Sequence, residues 1–342
     1  MTPIRELAGP VADALSDERL ADTRPWVQRG LVAHWPMAQA GRRSMADAMA
    51  YLKSMWRGEP VGMLLAPPQV QGRFFYNDTL TGMNFGREMA PLDVVLDGLA
   101  KMAGEAGPPG VYVGSTTVDT CLPPFRAAND LALGDRDPLV SIWLGNRSRI
   151  AAHFDLPDNL ACVVAGRRRF TLFPPEQIAN LYIGPLDVTP AGQAVSLVDF
   201  AAPDFERFPR FAQALAHAQV VELEPGDAVF IPSMWWHHVE SLTPFNVLVN
   251  YWWRQSPAWM DSPMGALMAA LLTMRDLPPA QREVWRGVFD HYVFGADETT
   301  AAHIPPNARS ALAPLTESGA RACGRGPSAR SAGSRPSSGP CR

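Results

Sequence analysis

Two short stretches of this chain carry side chains able to hold a redox metal. In His153-Phe154-Asp155 an imidazole and a carboxylate stand two positions apart, and in an extended chain that spacing turns both to one face. Far downstream, the apolar run Ile231-Pro232-Ser233-Met234-Trp235-Trp236 ends in the pair His237-His238. Neighbours on a strand face opposite ways, so only one of this pair can enter a barrel. His237 is assigned the inward place, because Val239 then shares it, and His238 is expected to face water or a partner. Two imidazoles and one carboxylate are the set that holds non-haem Fe(II) with positions open for substrate and dioxygen. His153, Asp155 and His237 are therefore the expected ligands. A carboxylate at position 155 also fills the place that a halogenating iron site leaves for halide, which argues against halogenation. His34, His217, His291 and His303 have no such context and read as structural or solvated.

These ligands need strands to aim them. From Val111 to Trp253 the chain breaks into short β runs: 111–114, 139–145, 149–155, 160–165, 168–173, 194–198, 220–224, 228–232 and 247–253. Turn signals such as Gly145-Asn146 and Pro225-Gly226 separate them, as in a closed barrel or double-sheet jelly roll. Residues 174–192 must be loop or short helix, because a central strand does not accept Pro174-Pro175. Residues 1–110 read as mostly helical and packed on the barrel. In that region Ser44 to Asp47 resembles a capping box ahead of Met45, Met49, Leu52 and Trp56, and Gly72 to Asp78 reads as a strand entering a turn. Residues 256–315 return to helix, with two apolar stripes between 261 and 294. Beyond Thr316, to Arg342, Arg, Ser, Gly and Pro leave almost nothing to bury, so a disordered tail is expected. The fold class is mainly β with flanking helices.

Joined to Asn159, Gly166-Arg167-Arg168-Arg169-Phe170-Thr171-Leu172-Phe173-Pro174-Pro175 and Val249-Asn250-Tyr251-Trp252, the two metal motifs resemble those of the cupin-like JmjC oxygenases. The resemblance covers roughly residues 110–255. It implies a double-stranded β-helix that binds Fe(II) and 2-oxoglutarate and couples decarboxylation of that co-substrate to hydroxylation of another molecule. It places Arg168 where the family usually has a lysine for the distal carboxylate of 2-oxoglutarate, and an arginine fork suits a carboxylate well. Alternation supports this, since Arg168 faces opposite to Arg167 and Arg169. The resemblance also sets Tyr112 on the same carboxylate and Asn159 and Asn250 along the co-substrate. Ile150 stands in place of a threonine and removes one hydrogen bond there. Trp143, Trp235, Trp236, Trp252 and Trp253 could wall the site or simply fill the core. A homodimer through residues 261–294 is the further implication.

With 342 residues, 47% hydrophobic and 19% charged, the chain can bury a substantial core. A net charge of -4 supplies no cationic field for phosphate backbones, so nucleic acid is not an expected partner. No stretch reaches the ~20 apolar residues of a membrane span, and the acidic residues near the start do not suit a signal peptide. Cys121, Cys162, Cys323 and Cys341 show no C-x-x-C spacing, and a cytoplasmic setting is expected. The expected small partners are 2-oxoglutarate and dioxygen. The second substrate, a protein or peptide side chain or a small molecule, does not follow from the residues. The competing classes are a metal-binding cupin without 2-oxoglutarate chemistry, such as an isomerase or another dioxygenase, and a non-catalytic interaction protein. Turnover of 2-oxoglutarate separates the first reading from both.

Overall fold

The computed structural model describes residues 1–190 and 192–319. It divides into two compact units, Met1–Gln255 and the chain from Ser256 onward. Among the described residues the first unit holds fourteen strands: β1 Thr2–Pro3, β2 Trp26–Gln28, β3 Pro60–Ala66, β4 Arg73–Phe74, β5 Gly86–Pro91, β6 Gly110–Thr117, β7 Leu139–Gly145, β8 Ser148–His153, β9 Asp158–Ala165, β10 Arg168–Phe173, β11 Gln219–Leu223, β12 Ala228–Ile231, β13 Trp236–Ser241 and β14 Asn246–Trp253. They form a six-stranded sheet in the order β1-β11-β10-β13-β8-β4 and an eight-stranded sheet in the order β2-β12-β9-β14-β7-β6-β3-β5. All pairings are antiparallel except β1 with β11 and β4 with β8. The strands from β6 onward make the expected jelly roll.

Strand β9 shows why the two sheets stay together. Every one of its residues is buried, and after Asp158 and Asn159 it reads as an unbroken apolar run rather than an alternating one. Leu160, Cys162 and Val164 point outward into a core shared with flanking helices, beside Trp35, Leu52, Leu96 and Phe125. Ala161 and Val163 point inward to Phe170, Leu172, Val229 and Leu248, between the sheets. Each fully buried aliphatic side chain contributes about 1.5–3 kcal/mol, so a strand buried on both faces anchors both layers.

Residues 1–110 are less helical than the sequence reading expects. They supply the helices Asp17–Leu20, Pro36–Arg43, Met45–Met55 and Leu92–Met102, but β1 to β5 also extend both sheets. Of the capping box only one half forms: the Ser44 hydroxyl accepts from the Asp47 amide at 3.0 Å, while the Asp47 carboxylate turns to Arg43. The expected strand at 194–198 is also absent, leaving a single bridge between Ile183 and Ser196. That run has no longer partner to pair with, and its apolar side chains instead pack under a loop with Phe75 and Tyr76. Within the second unit the helices Pro263–Thr273 and Pro279–Phe289 match the two apolar stripes. Of the tail expected from 316 to 342, residues 320–342, with Cys323 and Cys341, lie outside the described residues.

Candidate metal centre

His153 ends β8 and His237 is the second residue of β13, and the two are direct cross-strand partners. Their rings stand 4.3 Å apart, centroid to centroid. Asp155 lies two residues past the end of β8, so the strand is shorter than expected, yet its carboxylate still turns inward, 3.6 Å from His237 Nε2. One ligand-capable atom from each of the three lies within 4.8 Å of the others. Phe154, between them, faces the other way and packs edge-on against Trp236 at 4.9 Å.

The loop carrying Asp155 is laced to the turn that precedes His237. The Met234 amide donates to the Asp155 carbonyl at 2.9 Å, and the Ser233 amide donates to Asp158 Oδ1 at 2.9 Å. The Ser233 hydroxyl donates to the Leu156 carbonyl at 2.6 Å. Met234 takes a left-handed φ of 68°, a conformation that a side chain holds only when surrounding bonds enforce it.

Both histidines of the triad are fixed in the same tautomer. His153 Nδ1 sits 2.9 Å from the Ala151 carbonyl and His237 Nδ1 3.1 Å from the Trp235 carbonyl. A carbonyl accepts, so each Nδ1 carries the proton and each Nε2 presents its lone pair. Burial, and then the charge of His153, push the His237 pKa down to about 4, which keeps that lone pair available near neutral pH.

His238 does turn to the opposite face, but it does not meet water. It is 5% exposed and its ring lies on Phe200 at 4.4 Å. Phe200 belongs to the long segment between β10 and β11, which folds back over the outer face of the sheet. Burial pushes the His238 pKa down to about 3, so the ring is neutral, and its Nδ1 has no hydrogen-bond partner.

The triad lies in a cavity of about 650 Å³ between the two sheets. Arg168 is at 2% exposure in its wall, while Arg167 and Arg169 reach Glu222 on the outside. Among the described residues no carboxylate pairs with Arg168. Its Nη2 donates to the Trp143 carbonyl at 3.4 Å, the Tyr112 side chain is within its hydrogen-bonding reach, and its Nε has no partner. Burial pushes its pKa down, opposed only by Tyr112. Tyr112 is itself buried, and burial pushes its phenol up. A desolvated guanidinium costs several kcal/mol unless an anion accompanies it. Arg168 and Tyr112 thus put a buried guanidinium and a phenol into the wall of the cavity that holds the triad.

Asn250 and Asn159 line the same cavity and are oriented by Trp143. The Trp143 indole donates to Asn250 Oδ1 at 2.8 Å, and Asn250 Nδ2 donates to Asn159 Oδ1 at 3.4 Å. This relay leaves the Asn159 amide nitrogen for a ligand. Of the five tryptophans only Trp143 and Trp252 line the cavity. Trp236 packs on Phe154, Trp253 stacks on Phe230, and the Trp235 indole donates to the Thr23 carbonyl. Ile150 also lines the cavity, as an apolar surface. Sequence reasoning missed the mouth, where Gly62, Leu64, Arg87 and Met89 from β3 and β5 meet Gly114 and Ser115 of β6. Gly114 was the available signal: a Cβ there would stand 2.9 Å from the Trp143 ring, so only glycine leaves room for that indole.

Residues 12–258 match the family model described as a cupin-like domain. The chain is 35% identical over 129 residues to the lysine-specific demethylase JMJ31 of Arabidopsis thaliana, a match covering 36% of this chain and 23% of the relative. It is 39% identical over 115 residues to the HSPB1-associated protein 1 of Homo sapiens, covering 33% and 23%. To the tRNA wybutosine-synthesizing protein 5 of Gallus gallus it is 38% identical over 106 residues, covering 31% and 30%. Each match thus spans less than a third of the relative's length. With the family model extending over most of the first unit and the jelly roll around the triad, the chain belongs to the cupin-like domain family, of the JmjC type.

Proposed function

We propose that the protein is an Fe(II)- and 2-oxoglutarate-dependent oxygenase that hydroxylates a second molecule. The observation that carries this reading is the buried, unpaired Arg168 in the wall of the cavity that holds His153, Asp155 and His237. A metal-binding cupin without this co-substrate has no need of a desolvated cation there.

His153 and His237 would hold the metal through Nε2 and Asp155 through its carboxylate, the two-histidine, one-carboxylate set suited to non-haem iron. Bound Fe(II) and 2-oxoglutarate supply dioxygen activation and couple oxidative decarboxylation of the co-substrate to hydroxylation. The chain's own residues do the rest. Arg168 and Tyr112 bind the distal carboxylate, Asn159 and Asn250 orient the near end, and Trp143, Trp252 and Leu248 exclude water. Charge is consistent with the assignment: a divalent cation and a doubly charged co-substrate cancel, so loading both adds no net charge to the buried site.

The test is anaerobic titration of the full chain with 2-oxoglutarate in the presence of Fe(II). Arg168→Ala should weaken binding by on the order of 3–5 kcal/mol, the typical cost of leaving a buried charge unpaired, and Arg167→Ala should leave it intact. Equal losses would contradict the role of Arg168.

For assembly we propose a homodimer through residues 261–294. What supports it is that neither Pro263–Thr273 nor Pro279–Phe289 buries a single residue, although Leu272, Val284 and Trp285 are large and apolar. The absence of a cationic net field supports a protein, peptide or small molecule over nucleic acid as the second substrate.

A further inference from the structure

A second cavity, of about 550 Å³, shares no lining residue with the metal cavity. It opens beside Arg73 of β4 and Arg149 of β8, on the side of the six-stranded sheet where β8 and β4 pair in parallel. Three arginines line it: Arg73, Arg149 and Arg207.

Their charge is not balanced. Arg73 and Arg149 converge on the one carboxylate of Asp199, at 3.5 and 2.8 Å. Arg207 has no acidic partner among the described residues and lies over the Phe208 ring at 5.0 Å. The remaining acid in the lining is Asp78, so three guanidiniums face two carboxylates. The Arg73 guanidinium is held flat on the Phe75 ring at 3.8 Å and donates to the Leu197 carbonyl at 3.3 Å. Burial lowers its pKa, and the nearby Arg149 adds to that, as expected for a crowded cationic wall.

Donors also outnumber acceptors. Arg149 spends only Nη1 on Asp199, leaving Nε and Nη2 without a protein partner among the described residues. Gln69, Gln71 and Asn77 line the same space, and among the described residues their side-chain amide nitrogens have no protein acceptor. Phe75, Val70 and Leu80 add apolar wall. Guanidiniums fixed by stacking and by a shared carboxylate are preorganised for an oxyanion, since little side-chain entropy remains to be lost. Two forks converging on Asp199 and a third lining the same cavity offer more donors than the two oxygens of a carboxylate take up, and a phosphate group has both the oxygens and the charge to meet them. No histidine, cysteine or serine lines the cavity, so it is built to bind rather than to react.

We propose that this cavity, built from Arg73, Arg149 and Arg207 around Asp199, is a binding site for a small phosphate-bearing ligand, independent of the metal centre. Asp199 then competes with the ligand for the two arginines that it bridges. This gives the variants opposite signs, which a purely structural ion pair would not. Calorimetric titration of the full chain with inorganic pyrophosphate, against sodium chloride of equal ionic strength and against citrate, reads the site directly. The expected result is saturable pyrophosphate binding, about tenfold weaker in Arg207→Gln, as for loss of one charge-assisted contact, and several-fold tighter in Asp199→Asn. Should Asp199→Asn not fold, Arg207→Lys is expected to restore part of what Arg207→Gln loses. Absence of saturable binding, equal affinity of Arg207→Gln and wild type, or an affinity for citrate without one for pyrophosphate would overturn the proposal.

Discussion

His237 and His238 are adjacent, buried and both held neutral, yet only one of them shares a cavity with His153 and Asp155. His153→Ala, Asp155→Ala and His237→Ala are therefore expected to abolish Fe(II) binding in anaerobic metal analysis. His238→Ala should keep the metal but lower stability by about 1–3 kcal/mol, since it empties the space against Phe200. Metal loss in His238→Ala with retention in His237→Ala would reverse the assignment. Arg168 carries a second prediction of opposite signs. Without ligand its buried charge is uncompensated, so Arg168→Met should raise the melting temperature of the ligand-free protein while removing 2-oxoglutarate affinity. A lower melting temperature in that variant would mean that Arg168 is structural. These placements were legible because alternation sorts Arg168 from Arg167 and His237 from His238. The burial of His238 was not, because Phe200 reaches it from a segment whose path no local pattern specifies.

At the level of elements, turns do much of the positioning. Gly166 links β9 to β10 with φ of 71°, and a Cβ there would stand 2.3 Å from the Phe245 carbonyl. Gly166→Ala should therefore destabilise the protein by more than ~1 kcal/mol in urea denaturation, and should weaken 2-oxoglutarate binding because Arg168 follows two residues later. Wild-type stability in that variant would show the turn to be tolerant. Strands β7 and β10 were readable to the residue, because apolar runs bounded by turn residues leave few alternatives. Strands β2, β3 and β5 were not. Trp26–Gln28 is too short to show a period, Pro60–Ala66 begins with proline and carries a glycine, and Gly86–Pro91 is an exposed edge with no buried face to pattern. Of these, β3 and β5 bring mouth residues to the cavity of the triad, which is why that part of the site stayed hidden.

For the whole molecule, the proposals concern assembly and activity. Light scattering at micromolar concentration is expected to show a dimer for the wild type and a monomer or aggregate for Leu271→Arg. A wild-type monomer would remove the dimer, and a dimeric Leu271→Arg would place its interface elsewhere. Among the described residues no helix is long and apolar enough to cross a membrane. The central claim is that the paired features of the cavity, a metal triad and a buried cation, serve one co-substrate. The most direct measurement is the fate of 2-oxoglutarate incubated in air with Fe(II) and the full chain, followed by NMR. The account predicts slow conversion to succinate by the wild type, lost in both Asp155→Ala and Arg168→Ala. A wild-type protein that binds Fe(II) stoichiometrically and leaves 2-oxoglutarate unchanged would contradict it.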